Sequence, residues 1–238
     1  MNLQRYEQVS QAADFSSFRQ GLIDFANELD FGLIAGVLAI EHRGLGAKNE
    51  YITVSNTPTE FLEAFNDASN AKRDPVHTHL MRNPAPLVYD QERYVRADAG
   101  DLWEMQAPYG YKNGIAVSVH MPGYRRFLLG VDREQGLPRD PVKLNRMVAD
   151  LQLLAVHAQE AAARLLVSRR PTGAMPKISP RQLEVLKLTM DGKSAWVVGS
   201  LLGISENTVN YHMKQLFREL NVSTKSQAML RAMELGML

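Results

Sequence analysis

The chain has 238 residues, 45% of them hydrophobic and 22% charged, with a formal net charge of +1 and no cysteine. That length allows one large domain or two ordinary ones with their own cores, and the missing cysteine excludes disulfides, thiolate metal sites and a thiol nucleophile. No run reaches the roughly 18 apolar residues of a membrane span, and the first residues carry no apolar leader. A soluble cytoplasmic protein with no membrane partner is expected.

Phe15–Leu29 reads as a helix with Phe18, Leu22, Phe25, Ala26 and Leu29 on one face, and Gly32–Ile40 and Tyr51–Val54 as strands. Pro58–Ala68 is helical again, and a further helix starts at Asp74–Met81. Ile115–Met121 and Phe127–Val131 flank Pro122-Gly123-Tyr124 as a hairpin. Strands between helices predict an α+β domain with α/β/α layers and a pocket between layers. Pro141–Leu166 is a long helix with Leu144, Met147, Val148, Leu151, Leu154, Ala155 and Ala162 at helical spacing, apolar enough to offer a dimer seam. The stretch 167–177, with two prolines, one glycine and three basic residues, is the linker candidate, dividing 1–166 from 178–238.

Beyond the linker the pattern is all-α. Ser179-Pro180-Arg181-Gln182 has the serine, first-turn proline and Gln of a capping box, opening a helix that should bury Leu183, Val185, Leu186 and Met190. Ser194–Leu202 is a second helix, Glu206–Leu220 a third capped by Ser205, and Thr224–Leu235 a fourth ended by Gly236. Gly199, Gly203 and Val209 supply the small residue, the tolerant turn and the apolar anchor of a helix-turn-helix. In the third helix Val209, His212, Met213, Leu216 and Leu220 face inward.

The opposite face carries Asn207, Asn210, Tyr211, Lys214 and Arg218. Asn pairs bidentately with adenine and Lys donates to guanine acceptors in a major groove, while Lys193, Thr208, Arg218 and Lys225 suit phosphates. Net charge adds little: seven Lys/Arg against five Asp/Glu from Ile178 onward leave 20 against 21 upstream. By spacing alone the stripe also admits a second, less favoured reading as the solvated side of a helical bundle.

Arg181, Glu184-Val185-Leu186, Gly192-Lys193-Ser194, Ile204-Ser205, Thr208-Val209, His212, Leu220-Asn221-Val222 and Lys225 form a co-linear set over some fifty residues. This set resembles the four-helix DNA-binding domain of the LuxR (GerE-type) regulators. Trp196 and Gly199 depart from the usual Glu-Ile-Ala of the second helix. Upstream, the acidic pair, aspartate and lysine of a receiver domain are not found. Ser55–Phe65, Asp74-Pro75-Val76, Pro86–Tyr89, Leu102-Trp103-Glu104 and Asn113-Gly114 instead resemble the autoinducer-binding domain of quorum-sensing LuxR receptors.

That resemblance implies a small-molecule signal, an N-acyl homoserine lactone or a related molecule, and no other cofactor. In the family an aspartate accepts the ligand's amide N–H, a tryptophan donates to the lactone carbonyl, and a tyrosine donates to the acyl carbonyl. A second aromatic walls the lactone end and a glycine opens the sheet floor. Asp74 and Gly114 match, but Phe61 stands at the tryptophan position, Phe65 at the tyrosine position and Tyr89 at the second tryptophan. Val76, Trp103 and Tyr111 complete the expected site. Each lost donor costs a buried carbonyl about 1–3 kcal/mol.

Three possibilities stay open for the pocket: a signal offering Asp74 an N–H or O–H but fewer carbonyls, a homoserine lactone served by Tyr89 or Tyr111, or a filled core. Asp74 is equally a helix N-cap before Pro75. The family further implies a homodimer on two-fold-symmetric DNA and contact with RNA polymerase. An enzyme is disfavoured: no phosphate loop, H-E-x-x-H or G-x-S-x-G occurs, and His77 and His79 point to different helix faces. The remaining rival is a DNA-binding regulator of the same type controlled by a protein partner.

Overall fold

The computed structural model describes residues 3–41, 49–64, 68–167 and 176–238, and the chain divides into two compact units. The first begins with α1 (Leu3–Ser10) and α2 (Phe15–Glu28), then β1 (Leu33–Ile40) and β2 (Glu50–Ser55). Three short helices follow, α3 (Thr59–Ala64), α4 (Ala68–Arg73) and α5 (Pro75–Arg82), leading into β3 (Leu87–Tyr89). After α6 (Gln91–Arg96), α7 (Gly100–Gln106) and a 3-10 turn at Ala107–Tyr109 come β4 (Asn113–Met121), β5 (Arg125–Arg133) and α8 (Pro141–Val167).

The five strands form one sheet in the order β2-β1-β5-β4-β3, and the pairs β1–β5, β5–β4 and β4–β3 are antiparallel. The expected hairpin is β4–β5, whose register places Ile115 opposite Val131 and Gly114 opposite Asp132. Side chains alternate between the faces of a sheet, and here the alternation separates two environments. Ile34 and Leu38 of β1, Ile115 and Val117 of β4, and Phe127, Leu129 and Val131 of β5 belong to the main core with Phe18, Leu22 and Phe25 of α2 and Leu151, Leu154 and Ala155 of α8. The intervening residues Ala35, Val37, Ala116, Leu128, Gly130 and Asp132 face the helices of the other layer across a cavity.

The expected α/β/α layering is present, with additions that periodicity does not reveal. α1, β3, α6 and α7 are too short to show a pattern and are held by tertiary contacts. Tyr6 of α1, 2% exposed, packs on Phe25 and donates a 2.8 Å hydrogen bond to Asp150 of α8. Burial first, and then that bond, push the Tyr6 hydroxyl above its ordinary pKa. The apolar stripe of α8 is consumed here: Leu151, Leu154, Ala155, Ala158, Ala161 and Ala162 are fully buried in the unit's own core. Leu144, Met147 and Val148, earlier on the stripe, are partly buried against that core, and the outer face of α8 carries Val142, Leu153 and Val156.

The second unit is built on α9 (Pro180–Met190), α10 (Ala195–Leu202), α11 (Glu206–Leu220) and α12 (Lys225–Glu234). Ser179 and Gln182 make the anticipated capping box, and Ser194 and Ser205 cap α10 and α11. Each such cap satisfies N–H groups that the helix leaves open and contributes about 1 kcal/mol. Gly203 turns the chain between α10 and α11 at φ +65°, and a Cβ on Gly199 would lie 2.7 Å from the Ile204 carbonyl oxygen. Val185, Leu186, Val198, Val209, Leu216, Ala228 and Ala232 form the centre of this core. Met190 packs beside it, whereas Leu183 is only partly covered and lies outside it.

The sheet's close approach to β3 makes one position diagnostic. A Cβ on Gly114 would stand 2.3 Å from Tyr89 Cζ and 2.7 Å from the Val131 carbonyl oxygen, while one on Gly130 meets nothing nearer than 4.0 Å. Gly114→Ala is expected to destabilise the first unit by about 1–3 kcal/mol through overpacking, and Gly130→Ala to be neutral within about 1 kcal/mol. Urea denaturation of both variants measures the difference; equal midpoints would contradict the packing of Tyr89 on Gly114.

Candidate ligand cavity and nucleic-acid interface

The non-core face of the sheet floors a cavity of about 270 Å³. Ala35, Ala116 and Gly130 leave room above the sheet because they are small; Val37 and Leu128 share that face, and Val76 and Leu80 of α5 line the cavity from the helical side. Of the expected site residues, Phe61, Asp74, Val76, Tyr89 and Tyr111 line it. Phe65 lies outside the described residues. Trp103 does not line the cavity: it packs on the adjacent core cluster and spends its indole N–H on the Lys112 carbonyl at 3.1 Å. Gly114 does not open the cavity floor either, since the end of the Tyr89 ring occupies the space above it.

Asp74 sits where α5 begins. Its Oδ1 caps α5 by accepting from the Val76 and His77 N–H groups at 2.7 and 3.3 Å, and the same side chain lines the cavity. The Tyr94 hydroxyl adds a third donor to Oδ1 at 3.3 Å. Burial raises the Asp74 pKa above the ordinary carboxylate value, against these hydrogen bonds. His77, beside it, is pushed down by burial and so favours its neutral form.

Among the lining residues that emerge only from the fold are Asp132, Tyr94 and Gln106. Asp132 ends the cavity face of β5, 5% exposed, with Oδ2 accepting from the Tyr89 hydroxyl at 2.8 Å. Its Oδ1 is buried with no hydrogen-bond partner among the described residues. Burial lifts its pKa to about 7; the Tyr89 bond opposes this and the charge of Asp74 adds to it. The signal in the sequence was parity. Leu128, Gly130 and Asp132 share the face opposite Phe127, Leu129 and Val131, so a strand read as ending at Val131 hides one more inward residue.

The donors assigned to a ligand are largely committed elsewhere. Tyr89 gives its hydroxyl proton to Asp132, so it does not replace the lost tryptophan donor. Tyr111 donates to Thr57 Oγ1 at 2.8 Å, and burial pushes its pKa up to about 12. Phe61 stacks on Tyr111 at 4.5 Å between centroids and meets Tyr109 edge-on at 5.5 Å. The cavity is thus aromatic on one side and carries two carboxyl groups on the other.

In the second unit, Val209, Met213, Leu216 and Leu220 turn α11 inward, with His212 partly covered. Asn207, Asn210, Tyr211, Lys214 and Arg218 are exposed. Asn207, Asn210, Tyr211 and Lys214 line one groove with Lys225 from the first turn of α12. Thr208 pairs its hydroxyl with Ser205 at 2.8 Å, reinforcing the N-cap, and Lys193 is partly buried at the end of the α9–α10 turn. Trp196 is 69% exposed on α10, and Leu201 is exposed on the same helix.

The model of the autoinducer binding domain matches residues 16–162, and that of the luxR family of bacterial regulatory proteins matches residues 176–232. The chain is a LuxR-type quorum-sensing regulator. Its relatives include the transcriptional activator AnoR of Acinetobacter nosocomialis, 25% identical over 81% of this chain and 80% of that protein. The regulatory protein SdiA of Escherichia coli is 26% identical over 77% and 75%. A crystal structure of SdiA superposes with a TM-score of 0.80 at 21% identity, covering 99% of this chain and 96% of that one. A second SdiA structure, in complex with octanoyl-rac-glycerol, superposes at 0.78 over 96% and 91% at 20% identity. The regulator is therefore a transcription factor with an autoinducer-binding domain and a helix-turn-helix, not an enzyme.

The buried carboxyl of Asp132 gives the regulator a pH signature. Its folded pKa lies above the ordinary value of 3.8, so the folded state binds the proton more tightly. Its contribution to stability is therefore lost as pH rises. Between pH 5.5 and 8 that loss is about 2 kcal/mol for a folded pKa near 7. Asp132→Asn, without added ligand, should gain about that much relative to the parent over this interval, as read by urea denaturation at the two pH values. A constant difference between the two proteins would contradict the burial of an ionisable Asp132.

Proposed function

We propose that the regulator holds a small acylated signal, an N-acyl homoserine lactone or a related non-lactone molecule, in the cavity beneath the sheet. The observation that carries this reading is the placement of Asp74: its Oδ1 is saturated by three donors while the side chain lines an apolar and aromatic cavity. A carboxylate fixed in this way is a preorganised acceptor for a ligand N–H. The SdiA complex with octanoyl-rac-glycerol supports a class wider than lactones.

The exposed edge of α11 is the DNA-reading surface. Asn207, Asn210 and Lys214 meet base edges, Tyr211 packs within the same groove, and Lys193, Thr208, Arg218 and Lys225 contact phosphates. The regulator acts as a homodimer on a two-fold-symmetric operator, paired through the outer face of α8 with Val142, Leu153 and Val156. Signal binding shifts the population toward the arrangement that presents both recognition helices. Bound at an operator, it engages RNA polymerase.

DNA selected from a random pool by the full chain provides the test, followed by titration of variants at several salt concentrations. Lys214→Ala should cost about 1–3 kcal/mol on selected sites and flatten the preference at one position. Arg218→Ala should weaken all sequences alike and reduce the salt slope by about one. Selection that yields no common half-site, or variants indistinguishable from the parent, would overturn the assignment of this edge.

A further inference from the structure

The cavity's polar groups are unbalanced in a way that identifies the head of the ligand, granted that the cavity is the sensor site. Asp132 Oδ1 is buried in the cavity wall with no partner among the described residues. All three hydrogen bonds to Asp74 converge on Oδ1, so its Oδ2 has none among the described residues. Among the described residues, no Lys or Arg lines the cavity. The hydroxyls of Tyr89 and Tyr94 are turned to the aspartates they already serve.

Buried charge is ordinarily paired or neutralised, because desolvation of an unpaired carboxylate is costly. The two carboxyls sense one another, since the charge of Asp74 raises the pKa of Asp132. A ligand that brings only carbonyl acceptors would leave the buried Asp132 Oδ1 unsatisfied and would find Phe61 where a donor is needed. An ammonium brings up to three donors and no acceptor, and its charge is opposite to both carboxylates. The faces of Phe61 and Tyr111, stacked at 4.5 Å, add a surface that favours a cation.

We propose that the regulator's signal carries an ammonium head group held between Asp132 Oδ1 and Asp74 Oδ2, with its apolar part against Val37, Leu80 and Leu128. On binding, the ammonium displaces a proton from Asp132, and that proton is released to solvent.

The test is calorimetric titration of the full chain with three probes that share a hexanoyl amide and differ at the far end. They are N-hexanoyl-ethylenediamine, N-hexanoyl-ethanolamine and N-hexanoyl homoserine lactone. The ammonium probe is expected to bind at least tenfold tighter than the other two. Its heat at pH 6.5 should vary with buffer ionisation enthalpy in the sense of proton release. Asp132→Asn should weaken the ammonium probe at least tenfold and the other two less than threefold. Tyr89→Phe, which keeps the carboxyl and removes only its donor, should keep the ammonium preference and serves if the first variant does not fold. Tightest binding by the lactone or the hydroxyl probe overturns the inference and leaves the sensor reading standing. Binding by none of the three also overturns it; the sensor reading is then decided separately by whether extracts of the source cells raise the melting temperature of the first unit.

Discussion

Everything the first unit does depends on the strict two-residue alternation of β1, β4 and β5. Because neighbouring side chains in a strand point to opposite faces, Ile115, Val117, Phe127, Leu129 and Val131 seal the main core while Ala116, Leu128, Gly130 and Asp132 are delivered to the cavity. A one-residue slip in register would exchange the two sets, putting a carboxyl into the hydrocarbon core and large side chains into the ligand space. The bulky face against α2 and α8 therefore fixes the register. The cavity exists because the opposite face is populated by small residues.

The same economy operates in the second unit. Gly199 and Gly203 bring α10 and α11 together, and Val209, Met213 and Leu216 fill the contact. What is left over on α11 is polar and exposed. The two units are thus built alike: an apolar face sets the geometry, and the residues excluded from it carry the chemistry.

Much of this was legible before any coordinates. Ser179, Ser194 and Ser205 announce their helices because an N-cap is a local interaction between a side chain and the backbone two or three residues away. Long amphipathic elements such as α2, α8 and α11 show their buried face directly. α1, α6 and α7 were not visible, since elements this short are stabilised by what they touch, as Tyr6 is by Phe25 and Asp150. Periodicity in α8 revealed that one face is buried but not by what, and the partner proved to be the chain's own sheet. The cavity was legible where resemblance named a position, as for Phe61 and Asp74. It was hidden where the group arrives across the sheet, as Asp132 does, because no local rule relates Asp132 to Tyr89, 43 residues away. Trp103 shows the converse: a matching motif marked it, yet it is not among the described residues that line the cavity, and its indole N–H serves the Lys112 carbonyl.

The central claim is that the sheet's second face presents a buried, half-satisfied carboxyl to the ligand cavity. Carbon-13 NMR of the side-chain carboxyls in the unliganded protein, assigned by comparison with Asp132→Asn, measures it directly. The Asp132 signal should titrate with a midpoint near 7. A midpoint in the ordinary carboxylate range, near 4, would place Asp132 in water and contradict the two-faced sheet on which the account stands.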